Sequence, residues 1–343
     1  MRKHINMLIT ILSFAVLILD TKTALRGASE GIEMCVRTVI PSLFPFIFLS
    51  GILTHSLATT RIPLLRPIGR LLHIPNGCEP LLVVSFLGGY PVGAQCVATA
   101  VLDHSISQET GKRMLAFCNN AGPAFLFGIG SHLFAEKWVC WVIWAIHILS
   151  ALLVGLLFNR SEKSSKSEII TVSPSAMTAM ERSVRTIAII CGWVILFRMI
   201  LQFMTNWFLW RFPLWAQCLL SGIMELANGC YSLAEIAYFP LRFLLFSTML
   251  GFGGCCVALQ TLNVTQGMDA SYYLPGKLLQ ALFSCILSAA IVYPQLRWYL
   301  LLLPIAIIFA RCHRKKSEKC IAFSQDSIYN GRKSIGGHHN AIS

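Results

Sequence analysis

Long apolar runs divided by short polar stretches dominate the pattern of this chain. Four runs continue without a break, at residues 39–57, 138–158, 184–204 and 277–293. Each approaches the ~20 apolar residues that a helix needs to cross the hydrocarbon of a bilayer. A fifth, at 298–310, is shorter, but Trp298 and Tyr299 at its start and Arg311 after it suit the two membrane interfaces. Residues 5–19 follow Arg2-Lys3 and have the length of a signal-peptide core. Asp20, Thr21 and Lys22 come next in place of a small-residue cleavage site, so a retained signal anchor is expected. Residues 21–38 carry mixed charge at helical spacing and read as an amphipathic approach to the membrane.

Four further apolar segments are interrupted. Residues 81–102 contain Gly88-Gly89-Tyr90-Pro91-Val92-Gly93-Ala94-Gln95, and residues 114–130 contain Asn119-Asn120-Ala121-Gly122-Pro123. Residues 214–233 contain Glu225-Leu226-Ala227-Asn228-Gly229, and residues 241–262 contain Gly251-Phe252-Gly253-Gly254 with Gln260 beyond. Glycine and proline stop a helix, and a backbone without helical bonds at membrane depth must be buried in protein or face water. A half-helix also presents free N–H groups carrying partial positive charge, which can hold a polar or anionic ligand. Packing kinks are the bland alternative, and interhelical hydrogen bonding is the alternative for Asn119 and Asn120.

Glu225 is the sharpest single residue, a carboxylate inside an apolar segment, with Arg198 and Arg242 as its available partners. His147 stands alone in an apolar run and reads as a satisfied core histidine. The candidate substrate-binding residues are Gly88, Gly89, Tyr90, Pro91, Gly93, Gln95, Asn119, Asn120, Gly122, Pro123, Glu225, Asn228, Gly229, Gly253, Gly254 and Gln260.

Composition strengthens the membrane reading. The chain is 55% hydrophobic and 13% charged, about half the charge of a soluble domain, and its mean hydropathy is +0.65. Its net charge of +13 is concentrated at Arg2-Lys3 and at residues 61–70, 160–185 and 311–319. Such clusters mark cytoplasmic loops, and they place the C-terminal tail in the cytoplasm. The basic run at 311–319 has no aromatic residues between its charges and adjoins a hydrophobic segment, so no nucleic-acid partner is expected. Thirteen cysteines include no C-x-x-C pair, and His338-His339 is too small a cluster for a metal site. Motifs of zinc proteases, serine hydrolases and P-loop enzymes are missing, so no catalytic residue, metal or cofactor is expected.

A weak internal repeat adds to the pattern. Val36-Arg37-Thr38 recurs as Val184-Arg185-Thr186. An offset of 165 positions carries Gly88-Gly89 onto Gly253-Gly254, Gln95 onto Gln260, and Gly111-Lys112 onto Gly276-Lys277. Paired interrupted segments in two halves are the signature of a transporter-like site.

The same stretches resemble the YlbJ-like family of sporulation integral membrane proteins. The resemblance rests on the four interruption motifs, on Phe117-Cys118 before the second, on Pro41-Ser42-Leu43-Phe44-Pro45-Phe46, and on Arg66-Pro67-Ile68-Gly69-Arg70. It implies a plasma-membrane protein of spore formation with a core similar to the nucleoside-recognition, or gate, domain of nucleoside and ferrous-iron transporters. It also implies lysine at position 95, where this chain has the neutral Gln95.

The expected architecture is all-α and multi-pass, with about seven to nine membrane segments, some re-entrant, and a two-fold internal repeat. Residues 1–30 form the anchor and connector, 31–158 the first transporter-like half, 159–182 a cytoplasmic linker, 183–310 the second half, and 311–343 a basic tail expected to be disordered. The expected partners are membrane lipids and a small polar solute or ion. The rival is a non-transporting scaffold or assembly protein of the spore envelope, in which the interruptions only pack hairpins together.

Overall fold

A computed structural model of the chain describes residues 2–58, 62–158 and 176–302, with 304–306 and 309 beyond them. Most of the expected linker, the whole tail and the His338-His339 pair lie outside the described residues. Among the described residues every regular element is helical.

The chain opens with α1 (Arg2–Leu19) and α2 (Thr21–Met34), the latter capped by Asp20, whose carboxylate accepts from the Thr23 N–H at 3.2 Å. A π-helical turn, Cys35–Val39, leads into α3 (Ile40–Ala58). After a short α4 (Arg66–Leu71) come α5 (Pro80–Leu87), α6 (Val92–Leu102), α7 (Gln108–Leu115), α8 (Pro123–Leu133) and α9 (Lys137–Leu157). The second half holds α10 (Ala176–Trp207), α11 (Leu214–Met224), α12 (Leu226–Ser232), α13 (Phe239–Phe252), α14 (Gly254–Val264) and α15 (Tyr273–Val292).

Every motif read as a helix interruption contains the break between two helices. Gly88 to Pro91 separates α5 from α6, Ala116 to Gly122 separates α7 from α8, Glu225 separates α11 from α12, and Gly253 separates α13 from α14. Local chemistry explains the stops. Pro80 and Pro123 occupy first-turn positions, where the missing N–H costs nothing. Gly253 takes a left-handed φ of +87° and Gly254 one of +84°, a conformation that other residues adopt only with strain.

Four helices are long and apolar enough to cross a membrane: Lys137–Leu157, Ala176–Trp207, Tyr273–Val292, and Phe239–Val264, which runs through the Gly253 kink. A bent pair, Thr21–Val39 with Leu43–Leu49, makes a fifth when taken as one span. The protein is therefore a multi-pass membrane protein. α2 does more than approach the membrane. It lies on α10 through a glycine seam, where a Cβ at Gly27 would meet Met199 Cα at 2.7 Å and one at Gly31 would meet Ile195 Cα at 2.8 Å. An ion pair between Glu30 and Arg198 crosses the same seam.

The spans face lipid with their apolar sides and keep polar groups inside. On α15, Leu274, Leu278 and Leu282 are exposed at four-residue spacing, whereas Lys277, Gln280, Ser284 and Ser288 are buried. On α9, Trp138, Trp141 and Leu149 are exposed, whereas His147 and Ser150 are buried. The Ser150 and Ser284 hydroxyls bond at 2.9 Å across the α9–α15 contact. This arrangement follows from solvent: lipid rewards apolar surface, and polar groups must find partners within the bundle.

Candidate functional site

The four interruptions touch one another. A Cβ on Gly89, whose φ is +76°, would stand 3.1 Å from Gly122 N, so the first interruption lies backbone to backbone on the second. At Gly93 a Cβ would fall 2.0 Å from the Cys118 carbonyl oxygen, a second close approach between the same two segments. The Tyr90 ring then crosses to the fourth interruption, where its hydroxyl donates to the Leu250 carbonyl at 2.7 Å and lies beside Gly253. Gly254 in turn meets Gly222 O and Leu226 N of the third interruption, at 3.0 and 3.2 Å from a Cβ placed there. Glycine at these positions lets main chains approach to distances that any side chain would forbid.

Lys277 of α15 stands at the centre. It is 1% exposed, and its ammonium donates to Gln280 Oε1 at 2.7 Å, to the Asn119 carbonyl at 3.0 Å and to Tyr90 Oη at 3.3 Å. The nitrogen also lies 5.0 Å from the centroid of the Tyr90 ring. No carboxylate among the described residues pairs with it. Gln280 completes its own amide by donating to Asn120 Oδ1 at 2.9 Å and to the His147 carbonyl at 3.4 Å, while Asn120 donates to the Phe117 carbonyl at 2.7 Å. The second interruption is thus held from the main-chain side by Lys277 and from the side-chain side by Gln280.

Asn119 reaches into the second half. Its Nδ2 donates to Thr261 Oγ1 of α14 at 2.7 Å and lies 3.5 Å from Tyr273 Oη of α15. His147 accepts the Ala121 N–H on Nε2 at 3.0 Å, so its core partner is the backbone of the same interruption. That satisfies one ring nitrogen; Nδ1 is buried with no hydrogen-bond partner, so the core-histidine expectation holds for half of the ring.

Glu225 departs from its expected partners. Arg198 pairs with Glu30, and Arg242 donates to the Ile236 carbonyl at 3.2 Å. The Glu225 carboxylate instead caps α12, accepting from Ala227 N at 3.1 Å, Asn228 N at 2.7 Å and Asn228 Nδ2 at 2.7 Å. A carboxylate at a helix N-terminus is met there by backbone donors and by the helix dipole, with no cation required. Asn228 therefore serves Glu225, and Gly229 allows α12 to fold against α11, since a Cβ on it would overlap Gly222. Gln260 is buried and donates to Cys256 Sγ one turn back on α14, while the half-buried Gln95 lies in the first turns of α6.

Of the residues read from the sequence as interruptions, Gly88, Gly89, Tyr90, Pro91, Asn119, Asn120, Gly122 and Gly253 stand between helices, while Gly93, Pro123 and Gly254 lie in the first turn of the helix that follows. The sequence pattern missed Lys277, Gln280, Thr261 and Tyr273. The apolar run read from the sequence opens at position 277, whereas α15 begins at Tyr273 and buries Lys277 one turn in. The signal that identifies it is the spacing Lys277, Gln280, Ser284, Ser288, a polar stripe on one face of an apolar helix.

No protein-family model matches the chain, and no solved structure matches it. Among curated proteins it is similar to the sporulation integral membrane protein YlbJ of Bacillus subtilis (strain 168). The two are 24% identical over 322 residues, covering 79% of this chain and 78% of the relative.

Proposed function

We propose that this YlbJ-like membrane protein is a permease or gate for a small polar solute or ion, acting in the membrane of a cell that forms spores. The observation that carries the reading is the contact of four helix interruptions with one another, the first two bonded to a buried lysine that has no carboxylate partner among the described residues. Intramembrane cations are costly and persist where they serve a pathway or a ligand. Glycine-lined half-helices touch backbone to backbone, so the side-chain bonds that must break for them to part are those of Tyr90, Asn119 and Lys277.

In this reading the short pairs α5–α6, α7–α8 and α11–α12 act as re-entrant elements beside the four or five spanning helices, giving seven or eight membrane segments. The two-fold repeat draws support from helix ends. α5 ends at Leu87 and α13 at Phe252, while α7 starts at Gln108 and α15 at Tyr273, both pairs at the same offset of 165 as the glycine pairs. Likeness to the gate domain of solute transporters is part of the same proposal. The solute site comprises Gly88 to Gly93, Asn119 and Asn120 with Gly122 and Pro123, and Gly253 and Gly254. Gln95, Glu225, Asn228, Gly229 and Gln260 support it from the adjoining helices. A role in spore formation rests on the name of the relative.

The test is complementation of spore formation in cells lacking the relative, run beside solute uptake by the purified chain in proteoliposomes. Both should be restored by the native chain and lost in Lys277→Met. Full complementation without uptake of any solute would establish the scaffold reading in its place.

A further inference from the structure

We infer that the Lys277 site takes a small solute in which an N–H or O–H donor stands beside a negatively charged group, such as hydrogen phosphate or a zwitterionic amino acid. The inference rests on the permease reading for its context and on three independent observations for its chemistry.

The first is charge. All three donors of the Lys277 ammonium go to neutral oxygens, so its charge is solvated by dipoles and has no counter-ion among the described residues. The second is the direction of the surrounding helices. α6, α8 and α14 each start at the convergent interruptions, at Val92, Pro123 and Gly254, and none has a side-chain cap. Each start offers free backbone N–H donors to an anionic group; its partial positive charge is offset by the helix ends at Leu87, Leu115 and Phe252, so the formal charge is that of Lys277. Glu225 is the carboxylate of the four interruptions, and its oxygens accept from the N-terminal amides of α12 and the Asn228 side chain. Glu225 is thus matched by its own helix start, and Lys277 is left as a formal charge without a counter-ion among the described residues.

The third observation is an orphan acceptor. Thr261 Oγ1 donates its proton to the Val257 carbonyl at 2.8 Å, so it can only accept from Asn119. That fixes Nδ2 on the threonine and turns Oδ1 the other way. Oδ1 is buried, on a residue 1% exposed, with no hydrogen-bond partner. Lys277 already touches the main-chain carbonyl of this same residue. A ligand placed there finds a cation for its negative end and a lone pair for a donor. A bare anion would be drawn by the lysine and repelled by Asn119 Oδ1. The adjoining His147 holds a second unpartnered group: Nε2 accepts from Ala121, which leaves the proton on Nδ1.

The experiment uses the full chain in nanodiscs and four probes: hydrogen phosphate, L-alanine, sulfate and glycerol. Sulfate matches phosphate in charge and shape but has no donor at neutral pH; glycerol has donors and no charge. Hydrogen phosphate or alanine should bind at least about tenfold more tightly than sulfate, with glycerol inert. Lys277→Met should weaken that binding by about 100-fold or more, while Lys112→Met, at a lysine bound to Asp269, should bind as the native chain does. Because Lys277→Met removes three bonds from the core, Asn119→Asp is the deciding variant. It supplies an internal carboxylate to the lysine, so it should fold, melt higher than the native chain without ligand, and no longer respond to hydrogen phosphate or alanine. Equal affinity for sulfate and phosphate, or an Asn119→Asp chain that still responds, would overturn the inference. An orphan oxygen satisfied by trapped water predicts no binding of any probe to the native chain, which overturns it as well. Binding without uptake would keep this site and refute the permease; uptake of a neutral solute indifferent to hydrogen phosphate and alanine would do the reverse.

Discussion

Replacing Gly93 by alanine tests the contact on which the whole centre depends. The new Cβ would lie 2.0 Å from the Cys118 carbonyl oxygen, with Cys118 C and Ser85 Cα both at 3.1 Å. Ordinary contact begins at 3.4 Å, so the two segments must part by about 1.4 Å. Neither wall is a flexible side chain. Cys118 is fully buried and its N–H is bonded to the Met114 carbonyl at 2.7 Å, while Ser85 lies within α5. Overpacking of this kind costs about 1–3 kcal/mol, against a gain of about 1 kcal/mol for replacing a helical glycine by alanine. Asn119 follows Cys118 directly, and a displacement of that size stretches its 3.0 Å bond from Lys277 beyond hydrogen-bonding range. Thermal unfolding of purified chains in one detergent reads the result, with Gly128→Ala and Gly192→Ala as references because nothing lies within 4 Å of a Cβ at either. The references should melt at or above the native chain and Gly93→Ala clearly below it. A Gly93→Ala chain that melts with the references would refute the proposed packing of the first interruption on the second.

Glu225→Gln keeps one acceptor but sets an amide N–H₂ against backbone N–H donors, and should lower stability by about 1–2 kcal/mol in the same melting assay. Arg198→Met removes a part-exposed ion pair and should cost under about 1 kcal/mol, whereas Gly31→Leu, which drives a side chain into the Ile195 backbone, should detach α2 and cost far more. Asp269 is held down to about 2, first by its bond from Lys112 and then by Ser271, against an ordinary 3.8. A depressed carboxyl contributes above its ordinary value and is lost as pH falls through the folded one. The Lys112 latch should therefore keep the amides between α14 and α15 protected from hydrogen exchange down to about pH 4, with the protection fading towards pH 2. Asp269→Asn should lose it at every pH.

The interruptions were legible because glycine, proline and a polar side chain in an apolar run conflict with an unbroken helix, and that conflict is local. Gly253 shows it well: its left-handed backbone is written in its own residue type. The centre was not legible, since it is built from contacts between positions such as Lys277 and Tyr90, 187 residues apart. Hydropathy averaging also hid the lysine, placing it at the edge of a run it in fact lies within. Glu225 misled for a related reason. A buried carboxylate invites a search for a cation elsewhere in the chain, but a helix start two residues away satisfies it at no cost in sequence separation.

The Tyr90 side chain has a mechanical consequence. Its hydroxyl is bonded to α13 through Leu250 and to α15 through Lys277, and Lys277 grips Asn119, which in turn reaches α14. The first half of the chain is therefore fastened to three helices of the second by bonds that share atoms. Sliding one helix lengthens several at once, and no single bond can yield in advance of the rest. Such a linkage resists small strains and fails as a unit, so the protein should rest in one of two discrete arrangements and dwell in each, with few intermediate openings between them.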